Sequence, residues 1–209
     1  MKKYSNREYK KDECCIFSST KKDYGGLSNM CSGFNLNVNQ IDILTSEALY
    51  QALRFPDFPD IQSQIIQEKS PMTAKMVSKK HIDKTRSDWD NVKVDIMRWC
   101  LKAKLAQNFL KFGLLLESTN SKPIVEYSKK DGFWGAIPAK NNKTLTGINA
   151  LGRLLMELRA DYNTEDRFAM LIVEPLSIES FNLISNQIGI IDERNRFIEQ
   201  IMRAHNVLE

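Results

Sequence analysis

The sequence predicts a mainly α fold with a few short strands. Three observations lead there. Apolar residues recur at helical spacing through most of the chain from Thr45 onward, each helical stretch is bounded by a capping residue or a proline, and period-2 alternation occurs only in short runs. At 209 residues, with 42% hydrophobic and 27% charged, the chain can bury a sizeable core as one domain, with or without an appendage.

Residues 1–13 are polar and charged and are expected to form a flexible N-terminus. Cys14 to Ser18 reads as a short strand, and Ser19 to Gly33 as a loop rich in Lys, Gly and Asn. Asn35 to Leu44 alternates apolar with polar residues around Asn39-Gln40, which predicts a hairpin. Thr45 or Ser46 can cap a helix through Arg54 that Pro56 stops. Pro59 begins a second helix to Glu68, and Pro71 a third to Lys79.

Ser87-Asp88-Trp89-Asp90 resembles a capping box at the start of the longest helix. Along it Val92, Ile96, Trp99, Cys100 and Ala103 form the buried stripe. Asn108 to Glu117 is a further, Leu-rich helix; Pro123 to Tyr127 is a strand; Lys129 to Leu145 is a loop. A last core helix is expected from Thr146 to about Ala160. Beyond it lie a strand-like run at Phe168–Val173, the segment Ser180–Gln187, and an amphipathic helix from Ile190 to about Val207. No internal repeat or low-complexity linker divides the chain.

Composition narrows the chemistry. Two histidines and four cysteines, without CxxC or HExxH, leave no zinc site of the usual spacing, so no metal is expected. A Ser-His-Asp triad would have to recruit His81 or His205. Cys14-Cys15 reads as the buried start of a strand rather than a redox pair. The basic N-terminus lacks an apolar run behind it and no segment is long enough to span a bilayer, so a cytoplasmic protein without membrane contact is expected. A net charge of +4 permits an anionic partner without requiring one, and no helix carries the basic stripe of a DNA-binding regulator.

Four segments hold more polar residues and glycines than packing requires. In Gly25-Gly26-Leu27-Ser28-Asn29, the paired glycines allow positive φ, and Ser28 and Asn29 can turn the chain or bind hydroxyls. On the helix after Thr45, Glu47, Tyr50, Gln51 and Arg54 share one face. Its carboxylate sits in the first turn, where exposed amides favour the ionised form. Lys129 to Gly135 sets Asp131 beside a Gly-bracketed Phe133-Trp134 pair, where Trp134 either seals the core or stacks on a base. In Thr146 to Met156, a loop containing Gly147 enters a helix, and its amides with Arg153 can hold a phosphate; packing against Gly152 is the structural alternative. Lys75 and Arg86 are weaker candidates. Together these features describe a polar pocket for an anionic, ring-bearing ligand.

Their order is more specific. Gly26-Leu27-Ser28-Asn29, Ser46 to Ala52, Arg54-Phe55, Ala74-Lys75, Arg86 with Asp88-Trp89-Asp90, Ile124-Val125-Glu126, Asp131 with Phe133-Trp134-Gly135, and Gly147 to Arg159 follow one another. Over roughly residues 14–160 this resembles the NADAR superfamily, which has the YbiA-like fold. The resemblance implies a compact single catalytic domain over 14–160, with residues 161–209 as a C-terminal extension packed on or beside it. It also implies cleavage of N-glycosides whose ribose C1 carries an exocyclic amine. One branch of the family acts on amino-pyrimidine ribose phosphates of riboflavin biosynthesis. Another removes ADP-ribose from the guanine amino group in nucleic acid, as antitoxin to a DarT-type ADP-ribosyltransferase.

The run Thr45 to Gln51, the run Arg98-Trp99-Cys100-Leu101 and the extra fifty residues are most similar to the second branch. The expectation is therefore a monomeric hydrolase without cofactor, acting on ADP-ribosylated DNA, releasing ADP-ribose and partnered by a DarT-type toxin. The family pattern makes Glu47 the acid/base or electrostatic carboxylate and Asp131 its partner. Lys75 offers a separate, Schiff-base route. Asn29, Tyr50 and Asn149 would hold ribose hydroxyls; Trp89 and Trp134, with Gly135, would wall the base. Arg54, Arg86, Arg153 and the helix entrance from Gly147 to Gly152 would bind phosphates. A family member that only binds ADP-ribose or nucleotides is the non-catalytic alternative.

Overall fold

Local signals near the chain's start form as expected, up to a point set by long-range pairing. The computed structural model describes residues 5–206. Strand β1 (Arg7–Lys10) lies where a frayed end was expected; it is held by antiparallel pairing with a distant strand, described below. β2 (Cys15–Phe17) follows, and a 3-10 turn, Gly25–Leu27, starts the glycine-rich segment. Those two glycines do not adopt positive φ; Tyr24 does, at 58°. A Cβ on Gly25 would stand 2.6 Å from the Thr20 carbonyl, so the glycine serves close approach of two backbones. The hairpin β3 (Leu36–Val38) and β4 (Ile41–Ile43) turns at Asn39 and Gln40, both left-handed as a type I′ turn requires.

α1 (Ser46–Ala52) is capped by the Thr45 hydroxyl, which accepts from Ala48 N at 3.2 Å. Every residue of α1 is buried, including its polar face, so it is no surface helix. α2 (Pro59–Gln67) and α3 (Pro71–Lys80) start at prolines, as the sequence predicts, and pack on α1 and on each other. α4 (Trp89–Gln107) is the central helix, with Val92, Ile96, Trp99, Cys100 and Ala103 all buried. The expected capping box at its start does not form. Asp88 makes no cap bond; both of its oxygens instead accept from the Arg86 guanidinium, one of them at 2.9 Å, a bidentate charge-assisted pair.

α5 (Phe109–Glu117) leads to β5 (Ile124–Glu126), which pairs parallel with β2. The expected loop 129–145 contains β6 (Ile137–Pro138) and runs into β7 (Thr144–Gly147). β7 pairs with both β1 and β6, and this pairing claims Thr146 and Gly147 from the helix expected to start there. Asn149, at φ 52°, then breaks the backbone, and α6 (Ala150–Tyr162) begins after it.

The C-terminal region is docked on this core. A 3-10 turn, Arg167–Leu171, takes most of the expected Phe168–Val173 strand, leaving β8 (Ile172–Val173). β9 (Asn182–Leu183) and β10 (Asn186–Gln187) form a small hairpin. β11 (Ile191–Asp192) pairs with β8, so α7 (Arg194–Asn206) starts later than Ile190. Trp99 Nε1 donates to Glu174 O at 2.9 Å and its ring meets Phe181 at 5.0 Å. Fully buried Gln62 donates to Ala52 O and Asn182 O and accepts from Ile184 N. No helix of the described residues is long and apolar enough to cross a membrane.

Gly152 joins α6 to β5: an added Cβ would collide with Ile124 O and come within 2.5 Å of the Asn149 amide. Gly152→Ala is therefore expected to lower stability by about 1–3 kcal/mol, because the opposing atom is backbone and cannot turn away. Urea unfolding of the two proteins checks this; an unchanged midpoint would show that the α6–β5 contact has slack.

Candidate active site

The polar face of α1 forms the floor of a cleft of about 450 Å³, within the usual size for a ligand site. Glu47, Tyr50, Gln51 and Arg54 line it from this side. Glu47 is 6% exposed, so its carboxylate needs partners. Gln51 Nε2 donates to Glu47 Oε1 at 2.8 Å, and Ser78 Oγ, from α3, donates to Gln51 Oε1 at 2.6 Å. Since Ser78 takes the amide oxygen, the amide nitrogen must face Glu47, and Glu47 is held as an acceptor. Lys75 Nζ stands 3.9 Å from the same carboxylate oxygen, half-exposed at the mouth.

Ser28, Asn29 and Met30 form one wall. The Asn29 carbonyl accepts from Glu47 N at 3.1 Å and from Ser46 Oγ at 3.3 Å, tying this loop to α1. Beneath it Lys104, fully buried, donates to Gly26 O at 2.7 Å and to Ser28 O at 3.1 Å. Its ammonium lies over the Phe34 and Phe112 rings at 4.5 and 4.3 Å. Among the described residues no carboxylate pairs with it, and burial pushes the Lys104 pKa down from 10.5 to about 7.

The opposite wall is aromatic. The Tyr50 ring packs against Trp89 at 5.1 Å and edge-on to Trp134 at 5.6 Å. The Arg54 guanidinium covers the Trp89 ring at 5.1 Å, while its Nε donates to Thr85 Oγ1 at 2.8 Å. Burial, followed by the nearby Glu47, pushes the Tyr50 phenol far above its ordinary range, keeping it a neutral donor. Trp134 thus lines the cleft while packing on Tyr50.

Two carboxyl groups come from β5 and the loop after it, and Lys93 comes from α4. Asp131, exposed, accepts from Phe133 N and Trp134 N at 2.9 Å each, so it shapes the turn that presents Trp134. Lys93 lies over Phe133 at 4.8 Å. Glu126 also lines the cleft. Burial, then Glu47 and Asp131, raise its carboxyl from 4.5 to about 7, against the opposing pull of Lys75.

Of the residues expected at the site, Asn29, Glu47, Tyr50, Arg54, Lys75, Trp89, Asp131 and Trp134 line the cleft. Arg86, Gly135, Gly147, Asn149, Gly152 and Arg153 do not. Arg86 binds Asp88 and the Glu179 carbonyl, at 2.7 Å. Asn149 is fully buried, bridging Ile124 O at 2.9 Å and Glu126 N at 3.1 Å, so it holds β5 rather than a ribose. Arg153 is buried and donates to Ser5 O at 2.6 Å. Gly147 and Gly135 permit close packing: a Cβ on either would stand 2.5 Å from a carbonyl oxygen, of Gly135 and Glu126 respectively. The expected phosphate site at the α6 entrance is thus a packing joint, and the cations facing the cleft are Arg54, Lys75 and Lys93. Sequence reasoning missed Glu126 and Lys93 as site residues. Glu126 ends a three-residue strand, where alternation says nothing about which cavity a side chain enters. Among the described residues, no group of three or more His, Cys, Asp or Glu is placed to hold a metal.

The Lys104 geometry has a pH consequence. Its folded pKa lies below the unfolded value, so between about pH 7 and 10.5 the unfolded chain binds more protons and stability from this group rises with pH. Urea midpoints of wild type and Lys104→Met should diverge in favour of wild type across that window. A gap that stays constant would mean the ammonium is not desolvated.

Comparison with known proteins places the chain in a family. Residues 16–163 match the NADAR domain family. The chain is 36% identical over 148 residues to the N-glycosidase YbiA of Shigella boydii, spanning 71% of this chain and 88% of that protein. Its similarity to a riboflavin biosynthesis protein of Vibrio vulnificus is 29% identity over 160 residues, 76% of this chain and 41% of that one. The NMR structure of Escherichia coli YbiA superposes with a TM-score of 0.63 at 34% identity, covering 74% of this chain and 88% of that chain. The chain is a hydrolase that cleaves N-glycosidic bonds, and it belongs to the NADAR domain family.

Proposed function

We propose that the cleft removes ADP-ribose from the exocyclic amino group of guanine in DNA, reversing the action of a DarT-type ADP-ribosyltransferase as its antitoxin. The observation that carries this reading is the opposition of a buried carboxylate, Glu47, to an aromatic wall edged by cations. Glu47 would stabilise positive charge developing at ribose C1, with Asp131 its partner at the mouth. Tyr50 and Asn29 would meet ribose hydroxyls, Trp89 and Trp134 would flank the base, and Arg54 would meet phosphate oxygens. The likeness of Thr45 to Gln51 and Arg98 to Leu101 to the toxin-associated branch, together with the extra C-terminal segment, favours a DNA-borne substrate. The names of the relatives favour a second reading, in which the substrate is an amino-pyrimidine ribose phosphate.

The two are separated by incubating the protein with guanine-ADP-ribosylated DNA and with the amino-pyrimidine ribose phosphates. Release of ADP-ribose from the first supports the proposal; release of ribose phosphate from the second alone replaces it. Tight ADP-ribose binding without release from either would make the protein a reader.

Glu47→Gln keeps the volume of the side chain and is expected to lower kcat by about 10²–10⁴ while leaving the thermal midpoint nearly unchanged. Near wild-type turnover by a folded variant would remove Glu47 from the mechanism. Lys75 supplies a distinct route, since an amine N-glycoside can open to an imine that a lysine intercepts. Borohydride added during turnover should then leave ADP-ribose covalently on Lys75. If mass spectrometry finds Lys75 unmodified, the carboxylates act without it.

A further inference from the structure

We propose that Glu126 is the proton donor to the departing amine, a role that rests on the glycosidase reading above. Its main chain is fixed on both sides: the Glu126 N–H donates to Asn149 Oδ1 at 3.1 Å, and its carbonyl accepts from Ala136 N at 2.8 Å. The side chain lines the cleft, and among the described residues its carboxyl has neither a hydrogen-bond nor an ion-pair partner. The side chain is half-buried and its carboxyl stays open to the cleft, which leaves it available to a substrate.

The other two carboxyl groups facing it are occupied. Glu47 accepts from Gln51, which Ser78 fixes, and Asp131 accepts two backbone amides. The groups that face Glu126 are Glu47 from α1, Asp131 from the following loop and Lys75 from α3; α6 contributes the neutral Asn149. Two carboxylates against one half-exposed ammonium, on top of burial, keep the Glu126 proton bound up to about pH 7. One carboxyl held as acceptor and its neighbour kept protonated is the division of labour that N-glycoside cleavage needs.

As the C1–N bond breaks, its electron pair goes to the exocyclic nitrogen, which takes the Glu126 proton and leaves as a free amine. Water then bonds to C1 through oxygen and returns a proton to the Glu126 carboxylate. Glu47 faces the cation at C1 throughout. The products are the unmodified base and a ribose with a C1 hydroxyl.

The test compares wild type with Glu126→Gln on the amine-linked substrate and on an analogue carrying 4-nitrophenolate at C1, whose departure needs no proton. On the amine-linked substrate Glu126→Gln is expected to lower kcat by about 10²–10⁴. On the activated analogue the two proteins should turn over at nearly the same rate. Because the donor works protonated, wild-type kcat/KM should fall as pH rises through about 7, and the variant should lack that fall. Retained amine cleavage, or equal loss on both substrates, would overturn the assignment. Wild-type inactivity on both N-glycosides would instead remove the glycosidase reading, and the donor with it.

Discussion

Everything at the cleft depends on burying the polar face of α1. A carboxylate at 6% exposure is costly unless its oxygens are met, and here the cost is offset by a chain from Ser78 through Gln51 to Glu47, with Lys75 nearby. That chain requires α3 to lie against α1, which the prolines starting α2 and α3 allow by ending and restarting the backbone within a few residues. The Asn29 carbonyl closes the other end by accepting Glu47 N. The helix is thus defined by what its polar side touches as much as by Leu49, Ala52 and Leu53, which enter the core.

The remaining elements act as supports. Lys104 holds the Gly26–Ser28 loop through two carbonyls and two rings, fixing Asn29 over the start of α1. Asn149 bridges the carbonyl of Ile124 and the amide of Glu126, so the start of α6 sets the position of β5. Asp131 plays the same part for Trp134. Each support is a buried or turn-bound polar side chain whose hydrogen bonds go to backbone atoms, which gives a fixed direction at low entropic cost once the fold has formed.

Local signals made much of this legible. Thr45, Pro59 and Pro71 mark helix starts, Asn39-Gln40 marks a hairpin, and the α4 stripe reads directly from its spacing. β1 was not legible, because a polar four-residue run becomes a strand only through β7, more than a hundred residues away. The α6 entrance was misread for a related reason. Glycines at 147 and 152 permit anion binding or close packing equally well in a sequence, and only the positions of Gly135 O and Ile124 O decide for packing. Glu47, Tyr50 and Arg54 were found because one helical face collects them; Glu126 was not, because its neighbours Glu47, Lys75 and Asp131 come from three separate segments.

The activity proposed for the cleft is breakage of the bond between ribose C1 and a guanine amine. It is tested most directly by mass spectrometry of an ADP-ribosylated DNA strand after incubation with the wild-type protein. The strand is expected to return to its unmodified mass while intact ADP-ribose appears in solution. A strand that keeps its full modification, or keeps a ribose phosphate stub after loss of adenosine monophosphate, would contradict it.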